Sequence, residues 1–341
     1  MTFGQFGHSR HSRQLGPRLA VCAVVAGAIG ALGVAASNSA GPVRIQQTAD
    51  RISVTIGGKP FTALVADKTA RKLYLHPVLT ASGKRVTRGF PMEPAKNESD
   101  DHPHQRGVWI GAEHVNDADF WENDPADKNP RAGTVTLTKV SGVREGAAEG
   151  AFTIEANWIP PNADGKALVT ETRTMTFRAP TPETRAIDID LRLHANAQVT
   201  FADHHDALLG LRLAGPFEIA RGGRVVNAEG LNTWDKLRGA RSAWVDSLAT
   251  LDGEEVGVAV MDAPTNFRFP TPWHVREYAL VFASPFASHD YSPAAPDASV
   301  TLKPGDDLKL RYRIFIHPGN ADVAAAFKEF SKDFNREMSS K

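Results

Sequence analysis

Ala186-Ile187-Asp188-Ile189-Asp190-Leu191-Arg192-Leu193-His194-Ala195 sets Ile187, Ile189, Leu191 and Leu193 on one face and Asp188, Asp190 and Arg192 on the other. Successive side chains leave a strand on opposite faces, so this period of two is that of a half-buried β-strand. The same alternation recurs on the N-terminal side at 52–56, 61–65, 134–140, 151–158 and 168–177. On the C-terminal side it recurs at 242–248, 256–261, 278–283 and 308–316, and Gly, Pro, Asn and Asp punctuate the runs. Many short strands with frequent turns predict an all-β chain, a large antiparallel β-sandwich of the supersandwich kind. The tail departs from this period. Val323, Phe327, Phe330 and Phe334 recur at helical spacing, which predicts an amphipathic C-terminal helix over 322–338 with Asn320 at its N-cap. No repeat or linker divides the chain, so residues 41–341 are expected to form one domain.

The first 40 residues differ in kind. Arg10, Arg13 and Arg18 form a basic stretch without an acid, an apolar Ala/Val/Gly/Leu run covers 19–36, and small residues follow to Ala40. That order predicts a secretory signal peptide over 1–40, cleaved between Ala36 and Ala40, and hence a secreted, periplasmic or cell-envelope protein. A retained membrane anchor is the rival reading, because the run approaches the length of the shortest spanning helices. Cys22, the one cysteine, leaves with the leader, so the mature chain has no thiol for a disulfide, a zinc ligand or a nucleophile. Removing three arginines from a chain with 39 basic and 39 acidic residues leaves 36 against 39, a net charge of −3. No basic patch points to nucleic acid. An uncharged small molecule or oligosaccharide suits this balance better than a polyanion, and no membrane span is expected once the leader is gone.

Four segments carry polar residues that a plain sandwich does not need. The first is Asp100-Asp101-His102-Pro103-His104-Gln105-Arg106-Gly107, which runs into a strand at Val108-Trp109-Ile110. Pro103 biases His102 toward an extended backbone, which would point His102 and His104 to the same side. Two close imidazoles can share a substrate proton, hold a metal or bind hydroxyls; a solvated loop beside a strand reads the same way. Glu113, His114, Asp119, Trp121 and Glu122 add acids and aromatics to this region. The second segment is Asp203-His204-His205-Asp206, where adjacent histidines on a strand would face opposite sides and the acids would orient whichever one joins a site. The third is Asn232-Thr233-Trp234-Asp235, a ring beside an acid that fits either a sugar platform or the core. The fourth, Pro264 to Arg276, uses three prolines to stiffen a loop that delivers Trp273-His274-Val275-Arg276. Alternation puts His274, Arg276 and Tyr278 on one face and Trp273 and Val275 on the other, an arrangement equally open to an outward-facing edge strand.

Together these motifs resemble a known family. Asp101-His102-Pro103-His104-Gln105-Arg106-Gly107, Asp119-Phe120-Trp121, Pro264-Thr265-Asn266, Pro270-Thr271-Pro272-Trp273-His274-Val275-Arg276 and Ser284-Pro285-Phe286 are similar to the motifs of a bacterial family labelled PmoA-like, a domain of unknown function. The resemblance spans about Ile52 to His317. Members often have a histidine where this chain has Gln105, and another where it has Ala263. The methane-oxygenase sense of that label is excluded, because past residue 40 no apolar run is long enough to cross a bilayer. What the resemblance implies instead is a β-sandwich like that of galactose mutarotases and related carbohydrate-active proteins.

The expected function is that of a carbohydrate-active enzyme, a hydrolase, lyase or epimerase working on a sugar or glycoside by acid–base chemistry without an organic cofactor. His104 and His274, with His102 beside them, are the expected proton-transfer groups, because imidazole titrates nearest neutral pH. Arg106 and Arg276 are expected to steady developing negative charge, and Trp109 or Trp273 to form an apolar wall. Glu113, Trp121, His205, Asp206, Trp234, Asn266 and Tyr278 complete the expected substrate contacts. Two rivals stand beside this reading. One is a glycan-binding envelope protein without turnover; the other is a metal-dependent enzyme whose ion is held by His102, His104 and one of His204 or His205.

Overall fold

The computed structural model describes residues 40–67, 70–96 and 98–339. The expected leader lies outside them, apart from Ala40. These described residues form one compact unit. In chain order the first five strands are β1 (Val43–Gln47), β2 (Arg51–Ile56), β3 (Lys59–Val65), β4 (Tyr74–Val78) and β5 (Val108–Ala112). Four long strands follow: β6 (Thr134–Arg144), β7 (Glu149–Ile159), β8 (Val169–Arg178) and β9 (Arg185–Ala195). Next come β10 (Val199–Phe201), β11 (Ala207–Arg212), β12 (Arg224–Asn227), the short helix α1 (Trp234–Leu237), β13 (Trp244–Leu251) and β14 (Glu254–Asp262). The chain closes with β15 (Trp273–Arg276), β16 (Leu280–Ala283), β17 (Val300–Leu302), β18 (Asp307–Pro318) and α2 (Val323–Ser339).

Two eight-stranded sheets make an all-β sandwich, as the alternation predicts. The first has the order β1-β2-β3-β4-β5-β11-β16-β15 and the second β12-β13-β14-β18-β9-β8-β7-β6, with β10 and β17 as a separate pair. Pairing between these strands is antiparallel throughout, and β9 lies in the second sheet between β8 and β18. Its Ile187, Ile189, Leu191 and Leu193 are buried in the main core with Phe61, Trp158 and Phe177. On its outer face Asp188 accepts Nε and Nη2 of Arg313, its register partner on β18, at 2.5 and 2.8 Å. Opposite charges directly across a ladder stabilise the pairing.

The helix packs on this outer face, where Ala259, Met261 and Phe315 replace the charges and meet Val323 and Phe330. Its cap differs from the expectation. Asp322, not Asn320, accepts the Ala325 N–H at 2.9 Å, since the helix begins at Val323 and a carboxylate there also meets the positive end of the helix dipole. No helix of the described residues is long and apolar enough to cross a membrane.

The outer face of the first sheet carries a second, smaller apolar cluster of Ala70, Tyr74, Trp109, Trp121, Leu280 and Phe282. Alternation on β15 and β16 separates the two cores: Trp273, Val275, Val281 and Ala283 enter the main one, while His274, Leu280 and Phe282 face outward. Gly210 on β11 lies between Trp109 of β5 and Phe282 of β16 in the register. A Cβ there would fall 2.5 Å from the Trp109 ring, so the missing side chain is the space the indole occupies. Gly210→Ala must push that ring aside, and we expect it to destabilise the fold by about 1–3 kcal/mol, as overpacking does. A lower urea midpoint at constant slope checks this, and an unchanged midpoint refutes it.

Candidate functional site

Above Trp121 the outer face of the first sheet opens into a polar hollow of about 120 Å³. It is lined by His102, His104, Gln105, Trp121, Glu122, His205, Asp206, His274, Arg276, Tyr278 and Leu280. Segments about 170 positions apart in sequence therefore meet around one cavity.

The loop that carries His102 and His104 is fixed from below by two buried guanidiniums. Arg88 donates to the Asp101 carboxylate at 2.7 Å, to its carbonyl at 2.8 Å and to the His102 carbonyl at 2.8 Å. Arg212, on β11, donates to the same Asp101 oxygen at 3.0 Å and to the side chain of Gln105. The extended backbone expected at His102 is not what forms. Its φ is +45°, because its carbonyl is drawn to Arg88 and to the Gln105 N–H, which closes a turn. The side chains still converge: the His102 ring stacks on Tyr278 at 5.5 Å and lies edge-on to His104 at 5.6 Å.

His104 is buried, and its Nδ1 lies 3.0 Å from Asp127 Oδ2. Asp127 is delivered by a short 3-10 turn, Pro125–Asp127, whose N-cap Asp124 accepts the Ala126 N–H. Arg106 serves this scaffold and does not line the hollow: its Nε donates to Asp124 at 2.8 Å and to the Pro103 carbonyl at 3.3 Å. Burial lowers the His104 pKa, with the Asp127 bond opposing, so the ring is neutral at neutral pH and offers Nε2 to a ligand.

Across the hollow the rings of His204, His205, His274 and Phe282 form one stack, with centroid spacings of 4.6, 4.5 and 4.5 Å. His204 and His205 lie on a bend before β11 instead of in a strand, so they stack side by side and do not face opposite ways. Only His205 lines the hollow. Its Nδ1 is paired with Asp290, whose carboxylate also accepts the His205 N–H at 3.0 Å. The orienting acid is thus neither Asp203 nor Asp206. Asp203 instead accepts backbone N–H groups of Ser288, His289, Asp290 and Ala298, fixing the loop that presents Asp290. His274 is held through Nδ1 by the Tyr291 hydroxyl at 3.2 Å, and burial, then the charges of His205, Arg238 and Arg276, push its pKa down to about 2. It is a fixed neutral imidazole.

Asp206 is the most perturbed acid of the hollow. Burial, then the negative charges of Glu113, Glu122, Asp119 and Asp290, raise its pKa to about 8. Burial, then the charges of Glu113, Asp119 and Asp127, likewise raise Glu122. At neutral pH Asp206 therefore carries its proton and can donate it.

Several expected residues stand elsewhere. Trp109 lies wholly buried beneath Trp121 at 4.9 Å, and Trp121, itself buried, borders the hollow without an open ring face. Trp273 points into the main core and donates from Nε1 to the Ser242 carbonyl at 2.8 Å. Trp234 lies 6.0 Å behind Arg276 and does not line the hollow. Glu113 is tied to Arg131 at 2.8 Å and does not line the hollow; it acts there through its charge on Asp206 and Glu122. Asn266 borders a different groove and bonds to Asp262 and to the Arg311 backbone. The sequence reading missed Asp127, Asp290 and Tyr291, and did not weigh Glu122 and Gln105 as contacts. An acid–Pro turn after Trp121 was the one available sign of Asp127; nothing local marks Asp290 or Tyr291.

The metal set expected from His102, His104 and a later histidine is not assembled. Among the described residues the groups within ligating reach are Glu113–His114–His204 and His204–His205–Asp290, and His102 and His104 belong to neither. In the first group Arg131 already donates to Glu113 at 2.8 Å and lies 3.1 Å from His114 Nδ1.

No curated protein matches this chain. Among solved structures it is similar to a galactose mutarotase-like protein from Lactobacillus casei, with 10% identity, 81% of this chain and 100% of the other covered, and a TM-score of 0.39. It is also similar to a galactose mutarotase related enzyme from Lactobacillus acidophilus, with 8% identity, 82% and 99% covered, and a TM-score of 0.34. A third similarity is to the heparan sulfate lyase HepC from Pedobacter heparinus, with 8% identity and a TM-score of 0.36; 84% of this chain matches 36% of that one. The label PmoA-like, expected from the motifs, is not the one carried by the matching family model. That model covers residues 51–331, and the chain belongs to the family it describes, a family of unknown function, DUF6807.

Proposed function

We propose that this protein is a carbohydrate-active enzyme that moves protons at a sugar seated in the polar hollow. One observation carries the reading: two imidazoles, each tied through Nδ1 to a carboxylate, share the hollow with a carboxyl group that keeps its proton near neutral pH. His104 with Asp127 is the base, because a neutral ring with Nδ1 engaged accepts at Nε2. Asp206 is the acid, and His205 with Asp290 passes protons beside it. His274, neutral and fixed, orients a hydroxyl. Ring opening, epimerisation and glycoside cleavage all need such an acid and base on one substrate. The leader expected over residues 1–40 places this activity outside the cytoplasm, as a secreted or envelope protein. An intact mass of the mature protein that begins between residues 37 and 41 is expected; retention of Met1 overturns export by cleavage.

Turnover is tested on a panel of free aldoses, followed by polarimetry, and of aryl glycosides and oligosaccharides, followed by product release. Asp206 works protonated, so kcat/KM should fall as pH rises through about 8. The acid limb should lie below the ordinary histidine value, because His104 must be neutral and its pKa is lowered. Asp206→Asn should cost about 10²–10⁴-fold and remove the alkaline limb. Sugar binding without turnover on any member of the panel would make this a binding protein and end the enzyme reading. An alkaline limb that survives in Asp206→Asn would remove Asp206 from the acid role.

A further inference from the structure

We propose that the sugar taken by this hollow is acidic, a hexuronate whose carboxylate is held by Arg276. The inference rests on the carbohydrate reading above and narrows it. Four other guanidiniums around the site are committed to the protein: Arg88 and Arg212 to the loop at Asp101, Arg106 to Asp124, and Arg131 to Glu113. Arg276 is different. It lines the hollow, its Nε donates to Glu277 Oε2 at 3.2 Å, and its two Nη groups have no acceptor among the described residues. The rings of Tyr278 and Trp234 lie 5.0 and 6.0 Å from the guanidinium carbon, so its plane is held before any ligand arrives. A positioned guanidinium with an open pair of N–H donors is the geometry a carboxylate accepts with both oxygens.

The rest of the hollow sets how many charges the ligand carries. Asp206 and Glu122 face it, backed by Glu113 and Asp119, and burial together with this accumulation of acids keeps Asp206 protonated. A second anionic group placed there would meet like charge, whereas a hydroxyl would find a carboxyl donor and neutral imidazoles. Arg276, Tyr278 and His102 lie together, with the His102 ring stacked on Tyr278. The ligand that matches has one carboxylate for Arg276 and hydroxyls for the histidines and Asp206, and a sugar acid has that distribution. A neutral aldose offers the Arg276 donors only hydroxyl oxygens and lacks the charge-assisted pair.

Calorimetric titration of the intact protein with glucuronate and galacturonate, and with glucose and galactose, tests this. We expect the uronates to bind at least about tenfold tighter than the matching neutral sugars, the scale of one charge-assisted contact. Arg276→Gln should abolish that preference, and Arg276→Lys, which keeps the charge without the paired donors, should restore part of it. The side chain is one-third exposed, so both variants are expected to fold, and an unchanged thermal transition verifies this. Equal affinities, tighter neutral sugars, or a preference that persists in Arg276→Gln overturns the acidic-sugar inference and leaves the carbohydrate reading standing. If no sugar of either kind binds, the carbohydrate reading falls and takes the inference with it.

Discussion

Two buried guanidiniums that share one carboxylate are the constraint on which the site depends. Arg88 and Arg212 are almost fully buried, and both donate to Oδ1 of Asp101. Burial and then the Arg212 charge lower the Arg88 pKa to about 10, so the two like charges are a cost that only surrounding acceptors offset. The loop supplies them: Ser99, Asp101, His102 and Gln105 each give an oxygen. Burial would raise Asp101, yet Arg212, His102 and Arg88 hold its carboxyl below the usual range. A loop that must satisfy two buried cations has little freedom, and this determines where His102 and His104 stand. Gln105 takes its meaning from the same constraint. Its amide oxygen accepts from Arg212, an acceptor role that a protonated imidazole at this position cannot fill.

From that anchored loop the electrostatics divide the hollow. On one side Arg212 lies 4.4 Å from the Tyr278 ring and Arg276 5.0 Å, so cationic charge gathers behind a phenol. On the other, Asp119, Glu113, Glu122 and Asp206 crowd together, and Asp119 is itself raised by burial and then, against its hydrogen bonds, by Glu113. Lys72 lies below, wholly buried, with its Nζ on the Trp121 carbonyl and its pKa lowered by burial to about 7. At neutral pH it therefore brings only part of a positive charge to relieve the acids. Asp206 keeps its proton because burial, and then the negative charges of Glu113, Glu122, Asp119 and Asp290, disfavour its carboxylate, and a carboxylic acid in that state donates a hydrogen bond where a carboxylate can only accept one.

How much of this is legible in the sequence follows the range of the interactions. The sandwich is legible because β9 and β18 each bury one face, so Ile187 to Leu193 and Leu308 to Ile316 carry the alternation openly. Strand β11 is buried on both faces and reads as an apolar run from Ala207 to Leu211, which hides the pairing that puts Gly210 beside Trp109. At His102 the local rule failed: Pro103 favours an extended residue before it, but hydrogen bonds from Arg88, 14 positions away, outweigh that preference. The histidines of the hollow are visible as polar interruptions, while the acids that orient them are not. Asp127 is 23 positions from His104 and Asp290 is 85 from His205, and neither distance has a periodic signature. Trp109 and Trp273 show the opposite error: large rings near polar motifs suggested a wall, and burial assigned both to packing.

The ring stack explains why two adjacent histidines of the hollow have different duties. His205 and His274 lie 4.5 Å apart and nearly parallel, too close for both to carry a proton without strong repulsion. Only one has a carboxylate. The Asp290 carboxylate stands against His205 Nδ1, whereas His274 faces the Tyr291 hydroxyl on Nδ1 and the Phe282 ring on its far side, neither of which compensates charge. Burial first, and then the charges of its neighbours, keep His274 neutral. The division is set by the loop at 288–298, which reaches this point because Asp203 holds four of its N–H groups. A carboxylate that never touches the hollow thus decides which imidazole of the stacked pair stands against an acid, and the other is left as the fixed neutral partner.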